Sequence, residues 1–423
     1  MSDQQEPQSS LSPYRILDLT EAGCMITGKM LGDLGADVIK IEPPEGSHSR
    51  IAPFYKDIPD PEKSLFWFAY NTNKRGITLD LQTVNGQDIL KRLVKTADVV
   101  IESFEPGYME QIGLGYSSLR KIKPDLIMTS ITPFGQSGPK AHYRQSELTM
   151  WASGGYLYLS GAPEYAPVWI SFPQACLFGG VEATTGTMTA LWHRQNTGIG
   201  QHVDVSIQEC IIIFTWQTIP MWDLNNVDYP RLRTPGMMVP TTGVVGARGI
   251  YRCVDGHVVI MIQGGDEPFP SSMKSLVKLM DKDGMADDWL KQIDWRRDYD
   301  ALKLNQDLVN RVEGAIKNFL ATKTKKYLYN EANKSGILLA PIATIKDIWE
   351  NPQLEARNFW VPVAHPELDD TLTYCGPFIK LSESPVEYRR RAPLIGEHNT
   401  EIYGKDLGLT KEELVCLKQD KVI

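Results

Sequence analysis

The stretch that decides the fold class lies near the N-terminus, where residues 15–42 read RILDLTEAGCMITGKMLGDLGADVIKIE. Arg15–Leu19 has the apolar composition of a short strand, and residues 26–34 carry apolar side chains at helical spacing. Gly35 is suited to end that helix, because glycine readily adopts the left-handed conformation. Residues 36–41 form a second apolar run. A strand, a helix and a strand in this order predict two parallel strands joined by a crossover helix.

The same alternation continues outward from this unit. Further strands are predicted at residues 77–81, 98–103 and 126–131, and helices at residues 86–96, 117–122 and 179–197. Strands that alternate with helices favour a parallel sheet covered by helices. We therefore expect a layered α/β domain.

The middle of the chain has a different pattern. Residues 225–247 read as a connector with prolines and glycines, and Asp255-Gly256 is a turn dipeptide that joins two short strands. Residues 271–328 are mainly helical in pattern, and a capping box at Thr410 opens a last helix. The expected segments are a disordered leader (1–13), a large domain (14–224), a small α+β domain with its connector (225–332) and a return to the large domain (333–423).

Composition limits the possible functions. A length of 423 residues suits two domains. The formal net charge of −8 argues against nucleic acid or an anionic membrane as a partner. No apolar run approaches the roughly 20 residues of a membrane span, and no signal peptide is visible. The six cysteines lack zinc-ligand spacing, so we expect no metal and a reducing, cytoplasmic location.

Several short motifs stand in a characteristic order along the chain. They are LGADVIKIE (34–42), NKRGITLD (73–80), ADVVIE (97–102), FGQSGP (134–139), TGIGQ (197–201) and GEHN (396–399). In this order they resemble the class III coenzyme A (CoA) transferases, the CaiB/BaiF family. The resemblance implies a large Rossmann-like domain built from both chain ends, a small domain from the middle, and two chains interlocked as a dimer.

The resemblance also implies a reaction that moves CoA from an acyl-CoA donor to a carboxylate acceptor. An aspartate attacks the donor to form a mixed anhydride, CoA then forms an aspartyl-CoA thioester, and the acceptor carboxylate completes the exchange. Counted back from the TGIGQ motif, the position of that aspartate is occupied by Cys176. The surrounding sequence FPQACLFGG (172–180) contains no acidic residue.

Two side chains are candidate substitutes for the aspartate. Cys176 could act as a thiolate, but a buried cysteine among apolar neighbours has a raised pKa and is inert, which favours a packing role. Glu147 falls where the family often carries an acidic residue, and there the acid is usually part of the pocket wall.

The CoA site also departs from the family pattern. The resemblance implies vestigial CoA-binding positions at Leu79, Gln82, Ser103, Phe104, Gln111, Arg144 and Glu147. Pro43, Gln82 and Gln111 stand where relatives carry basic residues that would pair with the phosphates of CoA. We therefore expect this chain to bind CoA weakly or not at all.

A lost nucleophile in an otherwise intact pattern indicates the non-catalytic subunit of a heteromeric CoA-transferase. The expected partner is a catalytically active paralogous subunit, in a heterodimer or a heterotetramer. The expected substrates are succinyl-CoA and an organic acid such as benzylsuccinate, an acid of anaerobic toluene degradation. Alternatives are a homomeric transferase that uses Glu147 or Cys176, an acyl-CoA racemase or isomerase, and a ligand-binding protein without a transferase partner. A racemase is disfavoured because its aspartate would also fall at Cys176.

Overall fold

The computed structural model describes residues 9–216, 218–231, 247–299 and 304–423. The chain divides into two compact units. The first unit comprises the chain up to Tyr156, Trp169–Thr215 and Gln353–Ile423, and the second comprises Leu157–Val168 and Trp216–Pro352. Both chain ends therefore contribute to the first unit. Residues 1–8 of the predicted leader and residues 232–246 of the predicted connector lie outside the described residues.

Two segment boundaries differ from those expected. The predicted leader ended at residue 13, but Leu11 is buried and its backbone N–H donates a hydrogen bond to the carbonyl of Leu34. The predicted return to the large domain began at residue 333. Instead, Leu339–Pro341 forms a strand that pairs with the small sheet of the second unit. Because this pairing holds the chain there, the second unit continues to Pro352.

The first unit is built around a six-stranded parallel sheet. Its strands are β1 (Arg15–Leu19), β2 (Asp37–Glu42), β3 (Lys74–Thr78), β4 (Val99–Glu102), β5 (Ile127–Thr132) and β6 (His202–Ser206). Their order is β3-β2-β1-β4-β5-β6, and each adjacent pair is parallel. Strands β1 to β5 are almost wholly buried, as strands of a parallel sheet covered on both faces usually are. The strand order reverses between β1 and β4, and open parallel sheets bind ligands at the carboxyl ends beside such a reversal.

The α-helices of both units are numbered in chain order. They are α1 (Ile26–Asp33), α2 (Leu65–Tyr70), α3 (Val84–Val94), α4 (Tyr108–Gln111), α5 (Tyr116–Ile122), α6 (Glu147–Ser153), α7 (Tyr156–Leu159), α8 (Ala175–Thr197), α9 (Ile207–Ile212), α10 (Thr218–Asn225), α11 (Phe269–Lys282), α12 (Asp288–Lys291), α13 (Gln306–Leu320), α14 (Lys325–Ser335), α15 (Ile345–Trp349), α16 (Pro352–Ala356) and α17 (Lys411–Gln419). The predicted capping box at Thr410 is confirmed, because its hydroxyl accepts a hydrogen bond from the backbone N–H of Glu413.

The core of the first unit lies on both faces of the sheet. Neighbouring residues of a strand point to opposite faces, so Ile16 and Leu17 of β1 enter different clusters. Leu17 packs in a cluster with Leu90 of α3, and Ile16 packs in a cluster with Leu191 of α8. Each of these four side chains is at most 4% exposed. This burial on both faces fixes the sheet whose carboxyl edge forms the site described below.

The second unit contains a three-stranded antiparallel sheet covered by helices. Its strands are β7 (Ile250–Cys253), β8 (Gly256–Ile260) and β9 (Leu339–Pro341), in that order. Cys253 pairs with Gly256, which confirms the predicted hairpin turn at Asp255-Gly256. Another antiparallel pair, β10 (Trp360–His365) and β11 (Asp370–Cys375), belongs to the first unit. The predicted fold class, an α/β protein with a parallel sheet and a smaller α+β part, is confirmed.

Some element limits differ from the sequence expectation. Strand β3 begins at Lys74 rather than residue 77, because Lys74 already pairs with Val38 of β2. Residues 345–356 form two short helices, α15 and α16, since Pro352 starts a new helix. Within the described ranges, no helix is long and apolar enough to cross a membrane.

Candidate functional site

A cavity of about 880 Å³ lies at the carboxyl edge of the parallel sheet. Leu19 at the end of β1 and Ile41 near the end of β2 line one part of it. Leu79 follows β3 and Phe104 follows β4, and both also face the cavity. Lys418 contributes from helix α17. The cavity therefore lies where a sheet of this strand order is expected to bind a ligand.

Three of the predicted CoA positions line this cavity, namely Leu79, Gln82 and Phe104. Ser103 lies next to the wall. Its hydroxyl oxygen accepts a hydrogen bond from the backbone N–H of Glu21 at 2.9 Å, and Glu21 lines the cavity. The sequence thus identified a group of residues that the fold brings together from two separate loops.

The other predicted positions lie outside the cavity lining. Gln111 is exposed at the end of α4. The side chain of Arg144 is 93% exposed, and its guanidinium is 3.9 Å from a carboxylate oxygen of Glu105. Glu147 is the first residue of α6, and its carboxylate reaches the start of helix α8. Arg144, the basic residue at one of the predicted CoA positions, is therefore not part of this cavity.

The charged side chains around the cavity do not form a cationic site. The acidic lining residues are Glu21, Glu42, Glu45 and Asp80, and the basic ones are His48, Lys418 and Lys421. Glu42 is paired with Arg50, whose Nη2 is 2.7 Å from Oε1 of Glu42. The three remaining carboxylates outnumber the two lysines. The electrostatic potential of these side chains would therefore add little to the binding of a polyanion such as CoA.

Lys418 and Lys421 are lining residues that sequence reasoning missed. Asp80 explains their position, because its backbone N–H donates a hydrogen bond to the carbonyl of Val422 at 2.8 Å. This bond holds the last residues of the chain beside the loop after β3. Periodicity reports only local structure, so no sequence signal connects residue 80 with residue 422.

Cys176, at the position of the family's aspartate, lies in the first turn of α8. It packs against the 3₁₀ turn Ala22–Met25, which follows β1. A Cβ atom built on Gly23 would lie 2.9 Å from the Cβ of Cys176, closer than real Cβ atoms come. Glycine at position 23 therefore permits the close approach of the two backbones. This approach places Cys24 beside Cys176, although the sequence separates them widely.

The thiols of Cys24 and Cys176 lie close enough to shift each other's pKa. The contact with Cys24 lowers the pKa of Cys176, against the opposing effects of burial and of the nearby Glu147 charge. The same contact, together with burial, raises the pKa of Cys24 well above its usual value. The raised pKa expected for Cys176 is therefore wrong, because the sequence did not reveal that Cys24 lies beside it. Cys176 does not line the cavity.

Glu147 caps the helix that carries Cys176. Its Oε1 atom accepts hydrogen bonds from the backbone N–H groups of Gln174 and of Ala175, the latter at 2.5 Å. It also accepts one from the indole N–H of Trp151 at 3.0 Å. The N-cap residue Gln174 supplies no side-chain cap of its own. A carboxylate at this place satisfies free N–H groups and is stabilised by the helix dipole.

Glu102 is a buried carboxyl group at the end of β4. It accepts a hydrogen bond from the backbone N–H of Phe104 at 2.7 Å. Burial raises the pKa of Glu102 to about 7, although hydrogen bonds from Ser130 and Phe104 oppose the shift. Among the described residues, no group of three or more His, Cys, Asp or Glu side chains is placed to hold a metal ion.

Helix α8 exposes three large apolar side chains. Val181, Met188 and Trp192 lie on one face at helical spacing and are 37%, 39% and 68% exposed. The opposite face buries small residues such as Ala183 and Ala190. A surface helix normally buries its large apolar side chains and exposes its polar ones. The exposure of three large apolar side chains on one helix departs from this pattern.

Comparison with known proteins places this geometry in a family. The sequence matches the family model described as CoA-transferase family III over residues 11–399. It is 31% identical over 394 residues to the subunit BbsE of succinyl-CoA:(R)-benzylsuccinate CoA-transferase from Thauera aromatica, covering 92% of this chain and 93% of that one. It is 32% identical over 433 residues to formyl-CoA:oxalate CoA-transferase from Streptomyces avermitilis, covering 98% and 99%.

A solved CaiB/BaiF family protein from Brucella suis shares the fold, with a TM-score of 0.78 and 26% identity over 94% of this chain and 99% of that chain. The chain therefore belongs to CoA-transferase family III. The resemblance inferred from the motifs is confirmed. Relatives in this family are named as enzymes that move CoA between organic acids, with CoA thioesters as substrates.

Proposed function

We propose that this chain is the non-catalytic subunit of a heteromeric CoA-transferase and pairs with a catalytically active paralogue. The observation that carries the proposal is the thiol of Cys176 at the start of α8, where the family resemblance implies an aspartate. The fold is intact, since the chain matches a solved structure of the family with a TM-score of 0.78, and helix α8 is formed. The chain has thus kept the family's architecture while losing its nucleophile.

A cysteine does not replace the aspartate in the family's exchange. In that route, the enzyme's carboxyl carbon bonds to the sulfur of CoA, so CoA stays on the enzyme while the acyl group is released. The sulfur of Cys176 could accept an acyl group, but it offers no carbonyl carbon with which CoA could form a thioester. A thiolate at Cys176 therefore interrupts the sequence of steps, even though its pKa is lowered.

The cavity gives independent support. Two of the three positions at which basic residues were expected, Pro43 and Gln82, do line the cavity, and neither carries a charge. The third, Gln111, does not line it. Each charge-assisted hydrogen bond to a phosphate is worth roughly 1.5–3 kcal/mol. Losing two such contacts weakens CoA binding by about 10²–10⁴-fold. Lys418 and Lys421 offset part of this loss, but Glu45 and Asp80 oppose them.

The exposed apolar side chains of α8 support a partner subunit. Interfaces of obligate complexes are large and more apolar than ordinary surface. Trp192, at 68% exposure, is a side chain of the type that anchors such interfaces. One relative is itself named as a subunit of its enzyme. A chain without a nucleophile that still presents these side chains is best explained as one half of an assembly.

The substrates belong to the same proposal. Succinyl-CoA as the donor and benzylsuccinate as the acceptor follow from the name of the Thauera aromatica relative. An assay of the assembled enzyme with a panel of dicarboxylates tests this part separately. If CoA were transferred to other acids and not to benzylsuccinate, benzylsuccinate would be rejected as the acceptor. The proposed subunit role would be unaffected.

Co-expression tests the pairing. The chain is produced with a paralogue from the same organism that carries the aspartate, and the mass and subunit ratio of the complex are measured. We expect equal amounts of both chains. Trp192→Glu should prevent assembly by placing a charge in the apolar contact, whereas Val415→Glu, at a residue 55% exposed on α17, is the matched control. A stable homodimer that excludes the paralogue would reject the pairing.

A second candidate is a homomeric transferase that uses Glu147 as the nucleophile. The favouring observation is position, because the Glu147 carboxylate lies close enough to Cys176 to influence its pKa. Against it stand the three N–H groups that donate to Glu147 Oε1, which stabilise the carboxylate and lower its nucleophilicity. The Glu147→Gln variant described in the Discussion separates the two candidates.

A further inference from the structure

The contact between Cys24 and Cys176 has no role in the proposed transferase assembly. Cys24 is 3% exposed, whereas Cys176 is only partly buried. Small oxidants can therefore reach Cys176 first. The two residues lie on different elements, the 3₁₀ turn after β1 and the first turn of α8, which pack closely because residue 23 is glycine.

The two thiols also differ chemically. Cys176 lies at the N-terminus of a 23-residue helix, and its contact with Cys24 lowers its pKa. Both features stabilise a thiolate at Cys176. Cys24 retains its proton. Redox-sensing sites have this composition, an accessible thiolate next to a second cysteine that resolves the oxidised form.

We propose that Cys24 and Cys176 form a redox modification site, in which a peroxide oxidises Cys176 and Cys24 then closes an intramolecular disulfide. This inference goes beyond the transferase proposal and does not depend on it. The bond would tie the turn after β1 to the start of α8. Glu21, which lines the cavity, directly precedes that turn.

The chemistry balances with hydrogen peroxide as the oxidant. The Cys176 thiolate attacks one peroxide oxygen, the O–O bond breaks, and hydroxide leaves and takes up a proton to become water. The product is a sulfenic acid at Cys176. The sulfur of Cys24 then attacks the sulfenic sulfur, the S–O bond breaks, and the proton of Cys24 leaves with hydroxide as a second water. Two thiols lose two electrons and two protons in total.

Peptide mapping of the purified full chain tests the proposal. The reduced chain is freed of reductant, treated with hydrogen peroxide, denatured in iodoacetamide and digested. We expect a cross-linked peptide pair containing Cys24 and Cys176 that dithiothreitol separates. Cys24→Ser should stop the reaction at a Cys176 sulfenic acid that dimedone traps. Cys210→Ser is the matched control, since burial raises the pKa of Cys210 to about 12, and it should leave the cross-link unchanged.

The wild-type chain alone decides the outcome, so the result does not depend on a variant that folds poorly. The same treatment in urea should abolish the selective cross-link, because the folded backbone brings the two residues together. The proposal is overturned if peroxide oxidises the exposed Cys375 and Cys416 while Cys24 and Cys176 remain free thiols. Neither result bears on transferase activity, which is measured separately under reducing conditions.

Discussion

Replacing Glu147 distinguishes a helix cap from a nucleophile. Glu147→Ala removes the acceptor for the N–H groups of Gln174, Ala175 and Trp151. Loss of an N-terminal cap costs about 1 kcal/mol, loss of the charge near the helix dipole about 0.3–1 kcal/mol, and the donors left unpaired about 1–2 kcal/mol more. The expected total is about 2–4 kcal/mol. Glu147→Gln keeps an acceptor oxygen and should cost about 1 kcal/mol.

Thermal unfolding and turnover are measured together on the assembled enzyme. At roughly 2 °C per kcal/mol for a large domain, Glu147→Ala should lower Tm by about 4–8 °C and Glu147→Gln by about 2 °C. Turnover of the Gln variant should stay within about twofold of the wild type, because the oxygen that caps α8 is retained. The unequal effect of the two variants on Tm is the signature of a cap.

The opposite pattern would refute this reasoning. If Glu147→Gln left Tm unchanged and reduced turnover by about 10³-fold or more, Glu147 would carry the chemistry and the homomeric candidate would stand. Glu105→Gln is the matched control, because it removes the same charge from a side chain that is 79% exposed. It should change neither Tm nor turnover.

Three further predictions follow from buried charges and from the cavity. Burial raises the pKa of Glu102 from its ordinary value of 4.5 to about 7 in the folded chain, so this group favours folding below pH 4.5 and loses that contribution as pH rises through 7. Glu102→Gln should therefore raise the free energy of unfolding, measured in urea, by up to about 3 kcal/mol at pH 8 and leave it unchanged at pH 4. An equal effect at both pH values would contradict this prediction. Lys74→Met should destabilise the chain by about 3–5 kcal/mol, because Lys74 Nζ lies 2.7 Å from the fully buried Asp18 carboxylate. Combining Lys74→Met with Asp18→Asn should recover part of the lost stability. If Lys74→Met alone left the stability unchanged, the buried ion pair would not have the predicted role. Calorimetry of the isolated chain with CoA should give a dissociation constant above about 100 µM, and a low-micromolar value would show that the cavity still binds CoA.

Much of the fold was predictable because it depends on local patterns. The β1-α1-β2 unit follows from the apolar runs on either side of Gly35, and the parallel sheet follows from repeating that unit. The limits of β3 were wrong because pairing with β2, rather than local composition, sets where the strand begins. The end of the second unit was misplaced for the same reason, since Leu339–Pro341 pairs with a strand far away in sequence.

The candidate site was predictable only where residues follow strands directly. Leu79, Gln82 and Phe104 come after β3 or β4, so the parallel sheet brings them to one edge. The contact of Cys24 with Cys176 was not predictable, because it depends on packing between α8 and the turn after β1. The capping role of Glu147 was missed for the same reason. The backbone N–H groups that it caps belong to the start of another helix, and a cap of this kind leaves no spacing signal in the sequence.

CoA transfer by the chain with and without its paralogue tests the central claim most directly. Each subunit is purified alone and after co-expression, and the rate of CoA transfer from succinyl-CoA to benzylsuccinate is measured under reducing conditions. The proposal predicts no transfer by this chain alone, transfer by the complex, and loss of that transfer when the aspartate of the paralogue is replaced. Robust turnover by this chain alone, with Cys176 at the position of the aspartate, would contradict it.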